Sequence, residues 1–447
     1  MGKPTGFIDF ARQEAADRPV AERLADYGWI HADLDPEQRR QQAGRCMDCG
    51  IPFCETPLCL GGIHQGCPLR NLIPEWNDQL WHGHLSLALE RLHKTNCFPE
   101  FTGYVCPAPC EKACSCAKTS QAVTINQNER YIIDAAFDQG LMAPKVPASR
   151  SGRKVAVVGS GPAGLTVATL LNQRGHQVTV LERHARPGGL LTYGIPSMKL
   201  PQHVIDRRIE LLKAEGIEFQ CGVNVGIDQS VSDLCDAFDA VVLALGAQQP
   251  RPLSFTGKAQ GVCFALEYLG AAARQQLQEA ELDPRLSAAG KVVAVVGAGD
   301  TANDCIATAL RQGAADVIQL IRRPAADYGP ATDYAHQESQ AALGRDIRCF
   351  STQVAAVSAN ADGALEQLTL TTPEGEQQVS AQLLVIASGF TGAEAYATAG
   401  LDLNTLPNLF QAGDMATGAS LVVSAMAHAR QTARSVDEFL TGYSTIQ

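Results

Sequence analysis

Two strand-like runs, each ending in a glycine-rich turn, restrict the fold of this 447-residue chain more than any other feature. Residues 154–164 read KVAVVGSGPAG, and residues 291–302 read KVVAVVGAGDTA. Each turn is followed by a helical pattern and then by a second apolar strand, which is the βαβ signature of dinucleotide binding. The sequence therefore predicts an α/β fold that contains two Rossmann-like units.

The first turn has the three glycines that such a site requires. Gly159 permits the tight bend, Gly161 lets the backbone approach a pyrophosphate, and Gly164 allows close packing of helix on strand. Glu182 ends the next strand, eighteen residues past Gly164, where a carboxylate can accept hydrogen bonds from a ribose. A glycine turn without a ligand is the simpler alternative, but strand, helix and acid occur here together, which favours FAD.

The second turn carries a different charge at the equivalent place. Arg322 and Arg323 end its second strand, where the first unit has Glu182. A ribose 2'-phosphate requires cations, whereas a free 2'-hydroxyl is read by a carboxylate. This unit is therefore predicted to bind NADPH, and an ordinary pair of solvated surface arginines is the alternative.

The pattern along the chain indicates three units. A Pro/Ser/Gly linker at 143–152 separates a Cys-, Pro- and Trp-rich region, with helical stretches such as Leu85–His93, from the first βαβ unit. The apolar strands at 240–246 and 383–389 each end in glycine, so the chain can cross between units there. We expect a helical domain at 1–150, an FAD-binding domain at 151–285 and 386–447, and an NADPH-binding domain at 286–385, inserted in the FAD-binding one.

The cysteines concentrate at one end of the chain. Ten of the fifteen lie between Cys46 and Cys116, in short-spaced groups that suit metal thiolates better than disulfides. Structural zinc and iron-sulfur clusters both fit these spacings. A flavin and a nicotinamide unit on the same chain favour clusters, because zinc carries no electrons. A dithiol reductase is disfavoured, because Cys305 has no nearby partner in the sequence.

Composition restricts the partners. The net charge of -11 and the pI near 5.4 argue against a nucleic acid or an anionic membrane surface. No apolar run approaches the ~20 residues that span a bilayer. We expect a cytoplasmic protein whose partners are proteins or small molecules.

Several longer segments resemble the small (β) subunit family of NADPH-dependent glutamate synthase and the N-terminal part of dihydropyrimidine dehydrogenase. These segments are CMDCGIPFC at 46–54, CPLRNLIPEW at 67–76, FPEFTG at 98–103, CPAPCEKAC at 106–114, GGLLTYGIP at 188–196 and SLVV at 420–423. The resemblance covers nearly the whole chain. It implies FAD, NADPH and two 4Fe-4S clusters.

The resemblance also implies the cluster ligands. One cluster would be held by Cys46, Cys49, Cys54 and Cys114. The second would be held by Cys67, Cys106, Cys110 and Glu129. Three further thiols near these positions leave the ligand choice open, namely Cys59, Cys97 and Cys116.

Pattern and resemblance together predict the nucleotide site. Asp414 follows a short apolar strand and could bind a polyol hydroxyl, although a Gly-Asp pair by itself is more often a plain turn. The predicted cofactor-binding residues are Gly159, Gly161, Pro162, Ala163, Gly164, Glu182, Arg183, Gly188, Gly189, Leu190, Gly194, Ile195, Pro196, Gly246, Gly297, Gly299, Asp300, Thr301, Ala302, Arg322, Arg323, Gly389, Gly413, Asp414, Ser420 and Leu421.

These expectations combine into one hypothesis. NADPH reduces FAD near the 188–196 segment, and the clusters carry the electrons to an acceptor outside the chain, with no side-chain acid or base required. The resemblance implies that the acceptor is the glutamate synthase large (α) subunit, which makes glutamate from glutamine and 2-oxoglutarate. The alternatives are a reductase that serves ferredoxin or another oxidoreductase and, more distantly, a zinc-bound assembly scaffold.

Overall fold

The N-terminal region is mostly helical, as its sequence predicts. The computed structural model describes residues 2–60, 63–330, 333–393 and 406–446. Trp76, Phe98 and Phe101 are fully buried and form the centre of this region. Its helices and hairpin strands are α1 (Gly6–Asp9), α2 (Val20–Ala25), α3 (Pro36–Gly44), β1 (Leu58–Leu60), β2 (Ile63–Gln65), α4 (Ile73–Trp81), α5 (Leu85–His93), α6 (Pro99–Val105), α7 (Pro109–Lys112) and α8 (Ile125–Asp138).

The first βαβ pattern forms a parallel sheet whose inner strands are apolar because both faces of the sheet are covered by helices. The turn between its first strand and first helix is the glycine segment 159–161. Its elements before the insertion are β3 (Lys154–Val158), α9 (Pro162–Gln173), β4 (Gln177–Glu182), α10 (Leu190–Tyr193), α11 (Gln202–Ala214), β5 (Glu218–Cys221), α12 (Val231–Ala237) and β6 (Ala240–Leu243).

The second pattern forms a separate parallel sheet with an antiparallel three-stranded sheet beside it. The latter was not expected from the sequence. The elements of this unit are β7 (Gln249–Pro250), β8 (Val262–Phe264), α13 (Ala265–Gln276), β9 (Val292–Val296), α14 (Asp300–Arg311), β10 (Asp316–Ile321), α15 (Tyr334–Leu343), β11 (Arg348–Phe350), β12 (Gln353–Ala359), β13 (Leu365–Thr372), β14 (Gly375–Ser380), β15 (Leu383–Ile386) and β16 (Phe390–Gly392).

The chain then returns to the first sheet, as expected for an inserted unit. The returning elements are β17 (Leu409–Gln411), α16 (Asp414–Thr417) and α17 (Val422–Thr441). The first sheet has the order β17-β6-β3-β4-β5, and the second has the order β11-β10-β9-β15-β8. The short antiparallel pair β7 and β16 lies where the chain crosses between the units.

The pairing of strand β8 conflicts with the expected domain boundary between residues 285 and 286. It pairs with β15 in the second sheet, through the register Val385↔Cys263. We therefore propose that the second unit begins at the crossing strand β7 rather than at residue 286. A short three-residue strand followed by a helix gave no sign in the sequence of which sheet it joins.

The N-terminal segment also departs from a simple division at residue 150. Tyr27 and Ile30 pack in the apolar core of the second unit, with Tyr268 and Val293. We therefore propose that residues 17–31 belong structurally to the second unit, although they lie within the predicted helical domain at 1–150. Among the described residues, no helix is long and apolar enough to cross a membrane.

Candidate functional site

A cleft opens at the carboxyl edge of the first sheet and is closed on its far side by the start of α14. This is the position at which a parallel α/β sheet binds its ligand. Most of the predicted flavin-site residues line it. They are Gly159, Gly161, Pro162, Ala163, Glu182, Arg183, Gly189, Leu190, Gly194, Ile195, Gly246, Asp414 and Ser420, together with Thr301 from the second unit.

The first glycine turn has the geometry that its sequence predicts. Gly159 has a φ of +101°, and a Cβ there would lie 2.5 Å from the carbonyl oxygen of Ala244. A Cβ on Gly164 would lie 2.0 Å from the carbonyl oxygen of Gly159, so helix and strand touch. A Cβ on Gly161 would meet no protein atom within 4 Å, and this residue lines the cleft. The open space there fits a pyrophosphate at the start of α9.

Glu182 is buried and held in place at the end of β4. Its Oε2 accepts hydrogen bonds from the Ser160 backbone N–H at 3.1 Å and from the Ser160 hydroxyl at 2.5 Å. Its Oε1 accepts from the His184 backbone N–H at 2.9 Å. The Gly188 N–H in turn donates to the Ser160 hydroxyl at 2.9 Å. Ser160 thus joins the glycine turn, the predicted ribose carboxylate and the 188–196 segment.

At the opposite wall of the cleft, Asp414 lies close to the start of α17. The Ser420 hydroxyl donates to Asp414 Oδ1 at 2.6 Å, and burial raises the pKa of this carboxyl. Gly413 precedes it with a φ of +69°. The predicted residues Gly164, Gly188, Pro196, Gly413 and Leu421 support the cleft without lining it.

The cleft includes residues that sequence reasoning missed. Asn224 and its neighbours follow β5, and Gln248 follows β6, so both lie at the carboxyl edge of the same sheet. This position in a parallel sheet is the signal that could have found them. The other cleft residues that were missed are Val158, Ser160, Leu181, His184, Leu191, Val223, Val225, Ala244, Leu245, Ala247, Leu266, Asp304, Phe390, Val422 and Ala425.

The second glycine turn repeats the first. Gly297 has a φ of +131°, and a Cβ there would lie 2.4 Å from the carbonyl oxygen of Ala387, as at Gly159. A Cβ on Gly299 would meet no protein atom within 4 Å. Ala302 packs at the third position, and Asp300 begins α14. The turn therefore also fits a pyrophosphate.

Arg322 and Arg323 lie just past the end of β10, and both are exposed. Their strand is the parallel neighbour of β9, the strand that leads into the second glycine turn. Gly389 has a φ of +92° and lies after β15, on the other side of β9. The arrangement is consistent with recognition of a 2'-phosphate by these two arginines, which stays a prediction.

One small cavity in the helical region brings together the first predicted cysteine group. Cys46, Cys49, Cys54 and Cys114 all line it, and so does Cys116. Burial raises the pKa of Cys46 to about 12, so the buried thiols are costly to ionise without a cation. A metal ion deprotonates a coordinating thiol outright, so this donor set fits an iron-sulfur cluster. We name this site cavity I.

A second cavity brings together the other predicted group. Cys67, Cys106, Cys110 and Glu129 line it, and burial raises the pKa of Cys67 to about 12. Glu129 is buried, and its Oε1 accepts hydrogen bonds from the Asn96 amide at 2.8 Å and from the Thr102 hydroxyl. Burial raises the pKa of Glu129 to about 7. We name this site cavity II, and we propose that Oε2 of Glu129 is the oxygen that faces its cluster.

The three additional thiols, Cys59, Cys97 and Cys116, differ in position or in contacts from the predicted cluster ligands. Cys59 is exposed on β1 and lines neither cavity, and Cys97 lines a different cavity. Cys116 also lines cavity I, and its hydrogen bond with Cys114 lowers the pKa of Cys114, which favours a thiolate there. We therefore propose that Cys116 orients Cys114 and that none of the three is a ligand.

The arrangement of the metal-binding side chains tests whether this region could hold a structural zinc ion. A structural zinc ion holds four donors, with thiolates about 2.3 Å from one point. Within the part of the chain that the structure describes, no three His, Cys, Asp or Glu side chains converge in this way. The described donors are therefore not arranged as a preformed site for a single zinc ion.

The cleft and the two cavities adjoin one another. Val422 lines the cleft, and the next residue of α17, Val423, lines cavity II. Ile73, at the start of α4, lines both cavity II and cavity I. The three sites thus follow one another in the order cleft, cavity II, cavity I, with one residue or one peptide unit between neighbours.

Comparison with known proteins agrees with this division. Residues 153–429 match the pyridine nucleotide-disulphide oxidoreductase family, and residues 23–141 match the dihydropyrimidine dehydrogenase domain II, 4Fe-4S cluster family. Cys305 is fully buried, and burial raises the pKa of its thiol well above its usual range, which disfavours a thiolate for dithiol exchange.

The matching solved structures show the fold of the nucleotide units. The FprA protein of Mycobacterium tuberculosis in complex with NADPH has a TM-score of 0.53 and 19% identity, covering 65% of this chain and 85% of that one. This likeness concerns the fold alone.

Curated relatives match over the whole chain. The glutamate synthase (NADPH) small chain of Bacillus subtilis is 42% identical over 492 aligned positions, covering 100% of both chains. That of Escherichia coli is 32% identical and covers 97% of this chain and 98% of its own. Glutamate synthase (NADH) of Schizosaccharomyces pombe is 38% identical, over 98% of this chain and 23% of its own length. The chain belongs to the glutamate synthase small chain family.

Proposed function

We propose that this protein is the electron-input subunit of a glutamate synthase. When bound, FAD takes two electrons from NADPH and gives them up singly, and the 4Fe-4S clusters pass them to a large subunit that makes glutamate from glutamine and 2-oxoglutarate. The chain itself would bind and align these groups. Its family membership and the contiguous order of cleft, cavity II and cavity I support the proposal.

The residues of the chain have positioning roles in this scheme. The glycine turns bind pyrophosphates at helix N-termini, and Glu182 receives a ribose hydroxyl. The thiols of cavities I and II hold iron, with Glu129 as the single oxygen ligand. No side-chain acid or base is needed at the cleft, so placement of the reactants carries the catalysis.

Contiguity is the single observation that most favours electron transfer over a static scaffold. The cleft and cavity II are joined through consecutive residues of α17, and Ile73 separates the two cavities. A docking scaffold would have no reason to line up a nucleotide cleft with two thiolate sites. We propose that electrons enter at the cleft and leave from cavity I. Because the scattered thiols are free and a reducing compartment keeps them so, we also propose a cytoplasmic location.

The partner is tested by isolating the tagged protein anaerobically from its native host in mild salt and identifying what co-purifies. Recovery of a glutamate synthase large subunit is the expected result. Recovery of ferredoxin or a different oxidoreductase in its place would keep the electron-transfer role and overturn the assigned pathway. Zinc without acid-labile sulfide in the purified protein would overturn the electron-transfer role itself.

The surface around cavity I, where electrons are proposed to leave, offers a prediction about where the large subunit binds. Ile51 and Leu58 lie within four residues of the cavity I thiols Cys49 and Cys54 along the chain, and they are 72% and 45% exposed. We expect the double change Ile51→Ser and Leu58→Ser to weaken binding of the large subunit about tenfold or more, because burying an Ile or Leu side chain at an interface contributes roughly 1.5–3 kcal/mol. Isothermal titration of purified subunits measures this.

The matched control for that measurement is Val146→Ser. Val146 is 62% exposed but lies in the linker, far along the chain from cavity I. The affinity of the Val146→Ser variant for the large subunit should equal that of the unchanged protein. All of these variants should reduce a small soluble electron acceptor at the same rate. An unchanged affinity in the double variant would place the interface elsewhere.

Nucleotide choice gives a second prediction. Replacing Arg322 and Arg323 with alanine should weaken NADPH binding about 100-fold or more, because charge-assisted hydrogen bonds to a phosphate contribute roughly 1.5–3 kcal/mol each. Affinity for NADH, which lacks that phosphate, should change little. The control is Arg345→Ala, since Arg345 pairs with Asp316 at 2.6 Å at the other end of β10. Equal losses for both nucleotides would refute the 2'-phosphate assignment.

A further inference from the structure

A buried ionic cluster joins the two nucleotide units beside the cleft. The Lys199 ammonium lies 2.9 Å from Asp304 Oδ1, and the Tyr334 hydroxyl donates to the same oxygen at 2.6 Å. The side chain of Asp304 is 8% exposed and that of Lys199 is 22% exposed. Lys199 comes from the first unit, whereas Asp304 and Tyr334 come from α14 and α15 of the second.

The two ends of this ion pair are attached to the two parts that must meet for electron transfer. The Lys199 N–H donates to the carbonyl of Pro196 at 2.9 Å, so Lys199 is fixed to the segment whose Gly194 and Ile195 line the cleft. Asp304 lies one turn into α14, the helix that begins at the second glycine turn, and it also lines the cleft. The pair therefore links the flavin segment directly to the helix that would receive the nicotinamide nucleotide.

A general stabilising role is the simplest alternative, and the energetics argue against it. Burial raises the pKa of Asp304, and Lys199 and Tyr334 only partly oppose this effect. A buried ion pair is often no more stabilising than apolar residues of the same volume. Buried charges can instead specify one register between two surfaces, and here the Lys199 ammonium and the Asp304 carboxylate meet across the junction of the two units.

We propose that Lys199 and Asp304 are positioning residues for hydride transfer, which fix the start of α14 against the 194–200 segment so that the two bound nucleotides are aligned. Reacting atoms must come within about 3–3.5 Å, and a misplacement of about 1 Å can cost on the order of 100-fold in rate. Tyr334 holds the carboxylate from the side of α15. Lys199 does not line the cleft and acts on the reactants only through the backbone that it positions.

The test compares Lys199→Met, Asp304→Asn and the double variant with the unchanged protein. Lys199→Arg is the conservative variant, and Lys213→Met is the control, because Lys213 pairs with Glu210 on the exposed side of α11. Four quantities are measured: the single-turnover rate of flavin reduction by NADPH, its deuterium isotope effect, the Kd for NADPH, and amide hydrogen exchange at 194–200 and 300–304 before NADPH is added.

We expect Lys199→Met and Asp304→Asn each to slow flavin reduction about tenfold, with a larger isotope effect and an NADPH Kd within about twofold of normal. The double variant should be no slower than either single one, because both changes remove the same link. Amide exchange should rise in both segments, and Lys199→Arg should restore most of the rate.

Two results would overturn the proposal. One is an unchanged rate and isotope effect in variants that fold and bind FAD, which would leave the pair a purely structural contact. The other is additive losses in the double variant, which would mean that the two residues act independently. The Lys213→Met control separates both results from a general effect of removing a lysine.

Discussion

Replacing Glu338 with alanine is expected to cost about 3–5 kcal/mol in the stability of the second nucleotide unit, because it leaves the buried side chain of Arg311 without its carboxylate. Glu338 is fully buried and binds Arg311 through two hydrogen bonds, at 2.6 and 3.0 Å. Its Oε1 also lies 3.6 Å from Arg23, whose side chain is 1% exposed. Urea unfolding measures the loss of stability, and amide hydrogen exchange in α14 and α15 locates it.

The same change should release the N-terminal segment. Arg23 lies on α2, and Arg311 also donates to the carbonyl of Asp26 at 2.9 Å, so this network ties residues 17–31 to the second unit. We expect a protease to cleave residues 17–31 sooner in the Glu338→Ala variant than in the unchanged protein. The control is Glu438→Ala, because Glu438 forms an exposed pair with Arg434 that should contribute about 0–1 kcal/mol. Similar stabilities for the two variants would contradict a central role for the buried network.

Changing Cys106 to serine is expected to remove one of the two clusters and about half of the bound iron, because a 4Fe-4S cluster needs about four ligands. Cys106 lines cavity II, which lies between the cleft and cavity I. Electrons should therefore no longer reach the exit cavity. Iron and sulfide analysis, together with electron paramagnetic resonance after anaerobic reduction by NADPH, measures the loss.

Cys59→Ser is the matched control for this variant. Cys59 lies in the same cysteine-rich region but is exposed and outside both cavities. It should retain the full iron content and the signals of both clusters. Flavin reduction by NADPH should persist in Cys106→Ser, since the cleft is intact, while transfer to the large subunit should fall by about 100-fold or more. Full iron in Cys106→Ser would overturn the ligand assignment.

Much of the local structure could be predicted from short sequence windows. The two glycine turns, the strand Gln177–Glu182 and the helix Leu85–His93 have the bounds that their patterns predict. These features depend on backbone geometry and on hydrophobic period, which neighbouring residues alone determine. The insertion of one nucleotide unit in the other was equally visible, because two apolar strands ending in glycine mark the crossings.

The tertiary structure decided what depends on distant residues. The meeting of Cys54 with Cys114 in cavity I was implied only by the family resemblance, and the order of the three sites depends on α17 returning against the helical region. The pairing of β8 with the second sheet and the docking of α2 on α15 left no mark in the sequence. A short amphipathic segment shows that it has a buried face, but only long-range packing determines which surface covers it.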